Sequence, residues 1–452
     1  MFKKITNASV RLVERLLPDA FIFAIILTIA TFILSMVSTG QGVMALVQHW
    51  GTGVWGLLGF SMQMALILVL GNALANSKPV KSLLIKIAGL AKTPTQAIML
   101  VSFVSAIACW ISWGFGLIVG ALLARELAKR VQGVDYRLLI AAAYSGFVVW
   151  HNGISGSIPL SVASDLEQLT TYSNGLITEL IPVSRTLFSP MNLLMVFVII
   201  FTLPIINRMM HPDPQDVVVV DPATLVDVEI EEKKPETFAE KVENLSILSL
   251  IIVALGAAYL VWHFWNNGFD LNLNIVNLIF LVLGMLFHRT PINYVHAVDD
   301  AVKGAGGIIL QFPFYAGIMG LMTGANADGL SLAHVISNWF VSISTENTFN
   351  LFSFWSAGIV NFFVPSGGGQ WAVQGPIMMP AAVQLGVDPA KTAIAIAWGD
   401  AWTNMIQPFW ALPALGVAGL GARDIMGYCL IVLIYTGLMI SLGLYFLPLL
   451  GL

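Results

Sequence analysis

The sequence predicts an all-α polytopic membrane protein built as an inverted-topology repeat, with about nine transmembrane helices and two re-entrant hairpins. Three observations carry that reading. Of the 452 residues, 57% are hydrophobic and 10% are charged, and the mean hydropathy is +0.84. The apolar residues form continuous helix-long runs, and the basic residues between those runs are very unevenly placed. The two halves also match each other at an offset of about 250 positions, with opposite charge surroundings.

Composition excludes the soluble classes first. A water-facing domain carries roughly 25% charged residues, which this chain cannot supply. With 21 Lys and Arg against 25 Asp and Glu there is no basic surplus to neutralise phosphates, so no nucleic-acid partner is expected. A membrane β-barrel alternates apolar and polar residues, and these runs do not alternate. The two cysteines, Cys109 and Cys429, both lie inside apolar runs and offer neither a disulfide framework nor a metal site.

The elements follow in order. Residues 1–19 carry Lys3, Lys4, Arg11 and Arg15, with Val10, Val13, Leu16 and Leu17 at helical spacing. They are expected to form an amphipathic helix on the cytoplasmic surface. The run from Ala20 to Val37 is too long for a signal-peptide core and no Ala-x-Ala site follows it, so it is expected to stay as the first crossing. Further apolar spans fall at about 54–75, 97–124, 138–163, 188–206, 245–265, 273–287, 304–325, 350–381, 391–416 and 426–447. These divide the chain into a first membrane repeat over 20–206, a linker over 207–244, and an extra helix plus second repeat over 245–452. The linker holds ten acids, four bases and four prolines. It is expected to be a solvated cytoplasmic connection.

Positive charge marks cytoplasmic loops. All 21 basic residues except Arg185 and Lys391 can share one side if the span 97–124 is not a crossing. Basic loops flank it on both sides: Lys78, Lys81, Lys86 and Lys92 before, and Arg125, Lys129, Arg130 and Arg137 after. The span is therefore expected to enter from the cytoplasm, turn within 110–116 and leave the same way. Such irregular backbone survives at membrane depth only where protein or water satisfies it.

The repeat aligns Ser102-Phe103-Val104-Ser105-Ala106 with Ser353-Phe354-Trp355-Ser356-Ala357, and Val134-Asp135 with Val387-Asp388. Bases follow Asn76 and the first hairpin. Asn326 and the second hairpin lack them. Corresponding segments should thus face opposite sides, with the N-terminus inside, which is the layout of secondary transporters.

Four irregular segments are placed at membrane depth. Two are hairpin tips, carrying Ser112, Gly114 and Gly116 in 97–124, and Ser366, Gly367, Gly368, Gly369, Gln370 and Trp371 in 350–381. Two are broken helices, one with His151, Asn152, Gly153, Ser155 and Ser157, the other with Asp400, Thr403, Asn404 and Gln407. Glycine, proline, amide and hydroxyl groups stand there where a plain membrane helix has leucine. Half-helix ends exposed by such breaks bind anions or cations, although Gly and Pro also serve close helix packing. His151 is suited to pair with a carboxylate or carry a proton. Asp400, the carboxylate nearest a bilayer midplane, is suited to ligate a cation, carry the coupled proton, or hold His151. No Lys or Arg lies in any of the four segments, which favours a small monoanion over a dicarboxylate. Trp110, Trp113, Trp371, Trp402 and Trp410 flank them and could wall a short apolar tail. No P-loop occurs, and the spacing around Gly114–Gly120 does not fit a nucleotide loop. A Ser-His-Asp set from Ser155 or Ser157 with His151 and Asp400 is conceivable only if geometry brings them together.

At these motifs the chain resembles the short-chain fatty acid transporter family. The carrying residues are Trp150-His151-Asn152-Gly153-Ile154-Ser155-Gly156-Ser157-Ile158-Pro159, Pro365-Ser366-Gly367-Gly368-Gly369-Gln370-Trp371 and Trp402-Thr403-Asn404-Met405-Ile406-Gln407-Pro408, with Arg15-Leu16-Leu17-Pro18-Asp19 at the start. The resemblance implies uptake of short monocarboxylates such as butyrate or acetoacetate across a bacterial inner membrane. It implies no cofactor beyond a coupling Na+ or H+. More distantly the layout is similar to the ion transporter superfamily, which implies elevator-like movement, a homodimer and contact with membrane lipid. The Ser-Asn-Thr tips of those relatives are absent here, so their sodium sites do not carry over. Two other classes stay open: a membrane-embedded enzyme acting on acyl or lipid groups, and a carrier or passive channel for a different small organic anion.

Overall fold

The computed structural model describes residues 6, 8, 20–56, 58–173, 175–221, 225, 236–268, 273–303, 305–365 and 367–451. Every regular element among them is a helix. The amphipathic N-terminus expected over 1–19, most of the centre of the 207–244 linker, and Ser366 lie outside the described residues.

The first half begins with α1 (Ala20–Thr39), α2 (Val43–Gly53), α3 (Leu58–Ala75) and α4 (Lys78–Ala88). Over the span 97–124 stand α5 (Pro94–Ile111) and α6 (Trp113–Arg130), a helical hairpin joined by the single extended residue Ser112. Then come α7 (Tyr136–Ser145), a 3-10 turn over Gly146–Asn152, a non-helical stretch, α8 (Ser157–Ser164), α9 (Leu166–Tyr172) and α10 (Pro190–Met209). Beyond the linker stand α11 (Phe238–Glu243), α12 (Ser246–Asn267), α13 (Leu273–His288), α14 (Pro291–Val302), α15 (Gly306–Thr323) and α16 (Leu332–Ser342). The second hairpin is α17 (Phe349–Phe363) with α18 (Gly367–Gln384). The second broken helix is α19 (Pro389–Thr403) with α20 (Pro408–Ala418), and α21 (Ala422–Leu449) ends the chain.

Among the described residues, five helical segments are long and apolar enough to cross a membrane: Pro94–Ile111, Tyr136–Ala163, Pro190–Met209, Phe238–Asn267 and Ala422–Leu449. Five shorter apolar helices accompany them. This is a multi-pass helical membrane protein. Four short helices, α2, α4, α14 and α16, occupy stretches read from the sequence as loops. Their apolar residues recur at helical spacing, as with Leu84 and Ala88 buried beneath the basic face of α4, but the runs are too short to register as spans.

Close approach explains where the glycines fall. A Cβ on Gly116 would stand 2.4 Å from the Cys109 backbone nitrogen, and one on Gly120 would stand 2.6 Å from Ser105 Oγ. These two residues, spaced four apart on one face of α6, let it pack flat against α5. Gly116, one of the site candidates, is therefore placed against Cys109 in the contact between α5 and α6. Substituting Gly116 by Ala must push two backbones apart, at a cost of about 1–3 kcal/mol. The expected result is a lower melting temperature in detergent, with Gly133→Ala unsuitable as a control because its φ is +72° and Gly42→Ala, in open space, the proper one.

The linker is less free than its composition suggests. Val218 N–H donates to Asp135 Oδ2 at 2.8 Å, and Tyr136 N–H donates to Val218 O at 2.8 Å. Arg125 reaches Leu225 O at 3.3 Å. The described part is thus docked on the ends of α6 and α7, because buried Asp135 needs more donors than its own helix offers.

Candidate functional site

Both broken helices and both hairpin tips meet in one buried polar cluster. Its centre is a hydrogen bond between His151 Nδ1 and Asp400 Oδ2 at 2.7 Å, and neither side chain has exposed surface. The second ring nitrogen, Nε2, accepts from Ile158 N–H at 3.1 Å and lies 3.0 Å from Ser157 Oγ. A backbone N–H can only donate. Nε2 is therefore an acceptor, the imidazole proton sits on Nδ1, and Nδ1–H points at Asp400.

Local sequence produces this geometry. The chain must leave α7 without continuing it, since Gly146 packs 2.5 Å (as a notional Cβ) from the Ala106 backbone nitrogen, drawing the 3-10 turn onto α5. At Gly153 a Cβ would lie 2.2 Å from Trp110 O, and at Gly156 2.1 Å from His151 O. Only glycine permits the chain to fold back so that Ile158 faces His151. The first hairpin tip closes on the same stretch: Ile154 N–H donates to Trp110 O at 2.8 Å, and Trp113 N–H donates to Ser155 Oγ at 3.1 Å. Ser155 thereby satisfies an otherwise orphaned donor at the start of α6. Ser112 and Gly114 frame this contact, Ser112 without a side-chain cap bond.

The second tip lies directly over the pair. A Cβ on Gly367 would stand 2.3 Å from Ser157 Oγ and 2.7 Å from His151 Cε1, whereas Gly368 is exposed and opens onto free space. One residue thus separates the buried histidine from the outside. Gly369 continues the helix away from it.

The remaining candidates sort into two groups. Thr403, Asn404 and Gln407 are buried around Asp400. Asn404 Nδ2 donates to Asp400 O, and Gln407 Nε2 donates to Phe362 O at 3.2 Å. Gln370 and Trp371 turn elsewhere. Gln370 Nε2 donates to Ala357 O and Gln374 Oε1, and Trp371 donates to Gln168 Oε1 at 3.0 Å. Both fasten α18 to its neighbours, since buried amide and indole N–H groups take the nearest carbonyls.

The aromatic wall also differs from expectation. Trp110 packs against Phe197, and Trp402 lies against Gly358 and Gly437 and donates to Leu433 O. The rings beside His151 are Trp113, Phe147, Trp150 and Trp410, all buried. Trp150 stacks on His151 at 4.2 Å and on Phe147 at 5.3 Å, and Trp410 sits 5.3 Å from Trp113 and 5.7 Å from Trp150.

Three polar residues that the sequence reading missed hold the cluster together. Asn192 donates to Asn152 O at 3.1 Å and accepts from Trp398 Nε1 at 3.1 Å, tying the two breaks to α10. Asn361 donates to Asp400 O at 2.8 Å and to Thr403 Oγ1 at 3.0 Å. Tyr144 O–H donates to Asn404 O. The available signal was an asparagine alone in an apolar span, which is costly without a partner.

Ser157, His151 and Asp400 do form a hydrogen-bonded chain. Ile158 N–H already engages the lone pair of Nε2 that a general base would use, so the histidine is a fixed strut. Removing the Ser157 hydroxyl leaves that strut in place.

An all-helical multi-pass membrane protein with a polar site sealed between two broken helices and two hairpin tips belongs to the class of membrane transport proteins. The family model described as "Short chain fatty acid transporter" matches residues 1–447. An Escherichia coli (strain K12) protein provisionally named as a short-chain fatty acid transporter is 47% identical over 447 residues, covering 98% of this chain and 99% of its own. A Haemophilus influenzae (strain ATCC 51907 / DSM 11121 / KW20 / Rd) protein with the same provisional name is 45% identical over 454 residues, covering 99% and 100%. The chain belongs to the short-chain fatty acid transporter family, a family of transporters and not of enzymes. Among solved structures it is similar to the Alcanivorax borkumensis YdaH transporter, with a TM-score of 0.45, 16% identity and coverage of 95% and 97%. It is also similar to Neisseria gonorrhoeae MtrF, with a TM-score of 0.44, 16% identity and coverage of 96% and 97%.

Proposed function

We propose that the protein is a secondary active transporter of short-chain monocarboxylates such as butyrate or acetoacetate, driven by a proton or sodium gradient across a bacterial inner membrane. The observation that carries this reading is an unpaired donor in a site without cations. Asn152 Nδ2 and Trp150 Nε1 are buried and have no hydrogen-bond partner among the described residues. They lie next to His151, and no Lys or Arg stands in the four segments. Neutral donors bind one carboxylate comfortably and would leave a second one uncompensated. The rings of Trp113, Phe147, Trp150 and Trp410 offer an apolar wall for a short tail.

The movement we propose is elevator-like, in two inverted repeats with the N-terminus cytoplasmic and with a homodimeric scaffold set in lipid. The matched pair Asp135 and Asp388 supports the repeat. Asp135 accepts from Leu138 N–H at 2.8 Å and Asp388 from Ala390 N–H at 2.9 Å, and each caps a helix that ends in a break at the site. Arg185, a base apart from the cytoplasmic set, pairs with Asp388 at 2.8 Å.

The test is uptake of radiolabelled acids by the purified protein in liposomes, with sodium and proton gradients imposed separately. Accumulation of C3–C5 monocarboxylates above the outside concentration is expected. Equilibration without accumulation would make the protein a channel, and preference for dicarboxylates would overturn the substrate assignment. Ser157→Ala is expected to retain uptake within about fivefold, the effect of one neutral hydrogen bond worth about 1 kcal/mol. Complete loss would restore a chemical role for the hydroxyl.

A further inference from the structure

Among the described residues, the buried hydrogen-bonding atoms left without partners include donors on one side of the site and are oxygens alone around Asp400. Beside His151 they include donors, the indole N–H of Trp150 and the amide N–H of Asn152. Around Asp400 they are oxygens: Oδ1 of Asp400, Oδ1 of Asn361 and Oδ1 of Asn404, on residues with no exposed surface.

These three oxygens belong to one small network. Asn361 and Asn404 both spend their Nδ2 on the same atom, the main-chain oxygen of Asp400. Both amides are thus tied to the main chain of the residue whose own carboxylate oxygen Oδ1 is free. The donors in contact with this network are already committed. His151 Nδ1–H goes to Asp400 Oδ2, Thr403 O–H goes to Gly399 O, and Tyr144 O–H goes to Asn404 O. Three buried acceptors with no donor are an expensive arrangement for a protein interior.

We propose that Oδ1 of Asp400, Asn361 and Asn404 bind a monovalent alkali cation, and that this cation is the coupling ion of the transporter proposed above. Hard cations take carboxylate and amide oxygens. The charge also balances, because one carboxylate beside a neutral imidazole calls for a single positive charge. A proton on Asp400 Oδ1 is the rival. Its O–H would satisfy one of the two amide oxygens and leave the other bare, whereas a cation satisfies all three. The inference rests on the transport reading only for the word coupling, since the site itself is defined by these atoms. Asn361, on α17 just before the second tip, would link cation binding to the closure of Gly367 over His151.

The binding test uses the purified full-length protein at fixed pH and ionic strength. Its melting temperature is followed as NaCl or KCl replaces choline chloride. A saturable rise with one alkali ion is expected, and Asn361→Ala and Asn404→Ala should each raise the half-saturating concentration about tenfold or more. A wild-type protein with no alkali-specific rise overturns the site, as do both variants saturating like wild type. If one variant fails to fold, the other together with the wild-type ion comparison decides the matter. Liposome uptake separates the two claims. Alkali binding without accumulation of any acid keeps the site and removes the transport reading. Accumulation driven by pH alone, with no alkali stabilisation, removes the cation and keeps the transporter.

Discussion

Replacing Asp400 by Asn is expected to abolish gradient-driven uptake while leaving the protein folded enough to purify. Asn offers an oxygen to His151 Nδ1–H, so the 2.7 Å contact has a neutral substitute and the packing volume is unchanged. What disappears is the negative charge, and with it the reason for a cation or proton to enter the site. Losing a hydrogen bond to a buried charged group costs about 1.5–3 kcal/mol, or roughly tenfold to more than a hundredfold in any rate that depends on it. His151→Ala should be at least as damaging. It strips Asp400 Oδ2 of its donor and also leaves Ile158 N–H without the acceptor it uses at 3.1 Å. Initial uptake rates normalised to reconstituted protein measure both. If both variants accumulate substrate at wild-type rates with the same ion dependence, the His151–Asp400 pair is not the working centre.

That pair was legible from the sequence because polar residues beside glycine and proline stand out where a membrane helix should be featureless. His151 and Asp400 are each flanked by such breaks, and within 97–124 the chain turns at Ser112 between α5 and α6. The same logic failed where polarity came without a break. Asn192, Asn361 and Tyr144 sit on apolar helices and outside the irregular segments themselves, and only packing shows that each faces the site. It also misled where a polar or aromatic residue lay near a break but pointed away. Gln370 and Trp371 follow the glycine tip by one helical turn, and helical rotation carries them to Ala357, Gln374 and Gln168. Pattern located the irregular backbone, and side-chain direction, which decides membership of the site, needed the third dimension.

The neighbouring glycines of the second tip allow the sharpest contrast. Gly367→Ala places a methyl group 2.3 Å from Ser157 Oγ, 2.7 Å from His151 Cε1 and 3.0 Å from His151 Nε2. The serine hydroxyl could swing aside, but the imidazole cannot, since Asp400 holds one nitrogen and Ile158 the other. The tip must stay lifted, and the barrier over the buried pair stays open by about the width of a methyl group. Overpacking of this kind costs about 1–3 kcal/mol in the closed state, so the closed population falls by roughly fivefold to more than a hundredfold. Gly368→Ala, one residue on, meets nothing within 4 Å and should behave as wild type. Uptake and substrate leak read the two variants differently. Gly367→Ala should lose concentrative uptake, and its His151 neighbourhood should become reachable by water-soluble thiol reagents through a cysteine placed at Ser157. The Gly368→Ala protein should protect the same cysteine as the parent does. Equal protection in both variants would mean that the second tip does not seal the site, and the closed geometry over His151 would then have to be held by the first hairpin, through the contacts of Trp110 and Trp113 with Ile154 and Ser155.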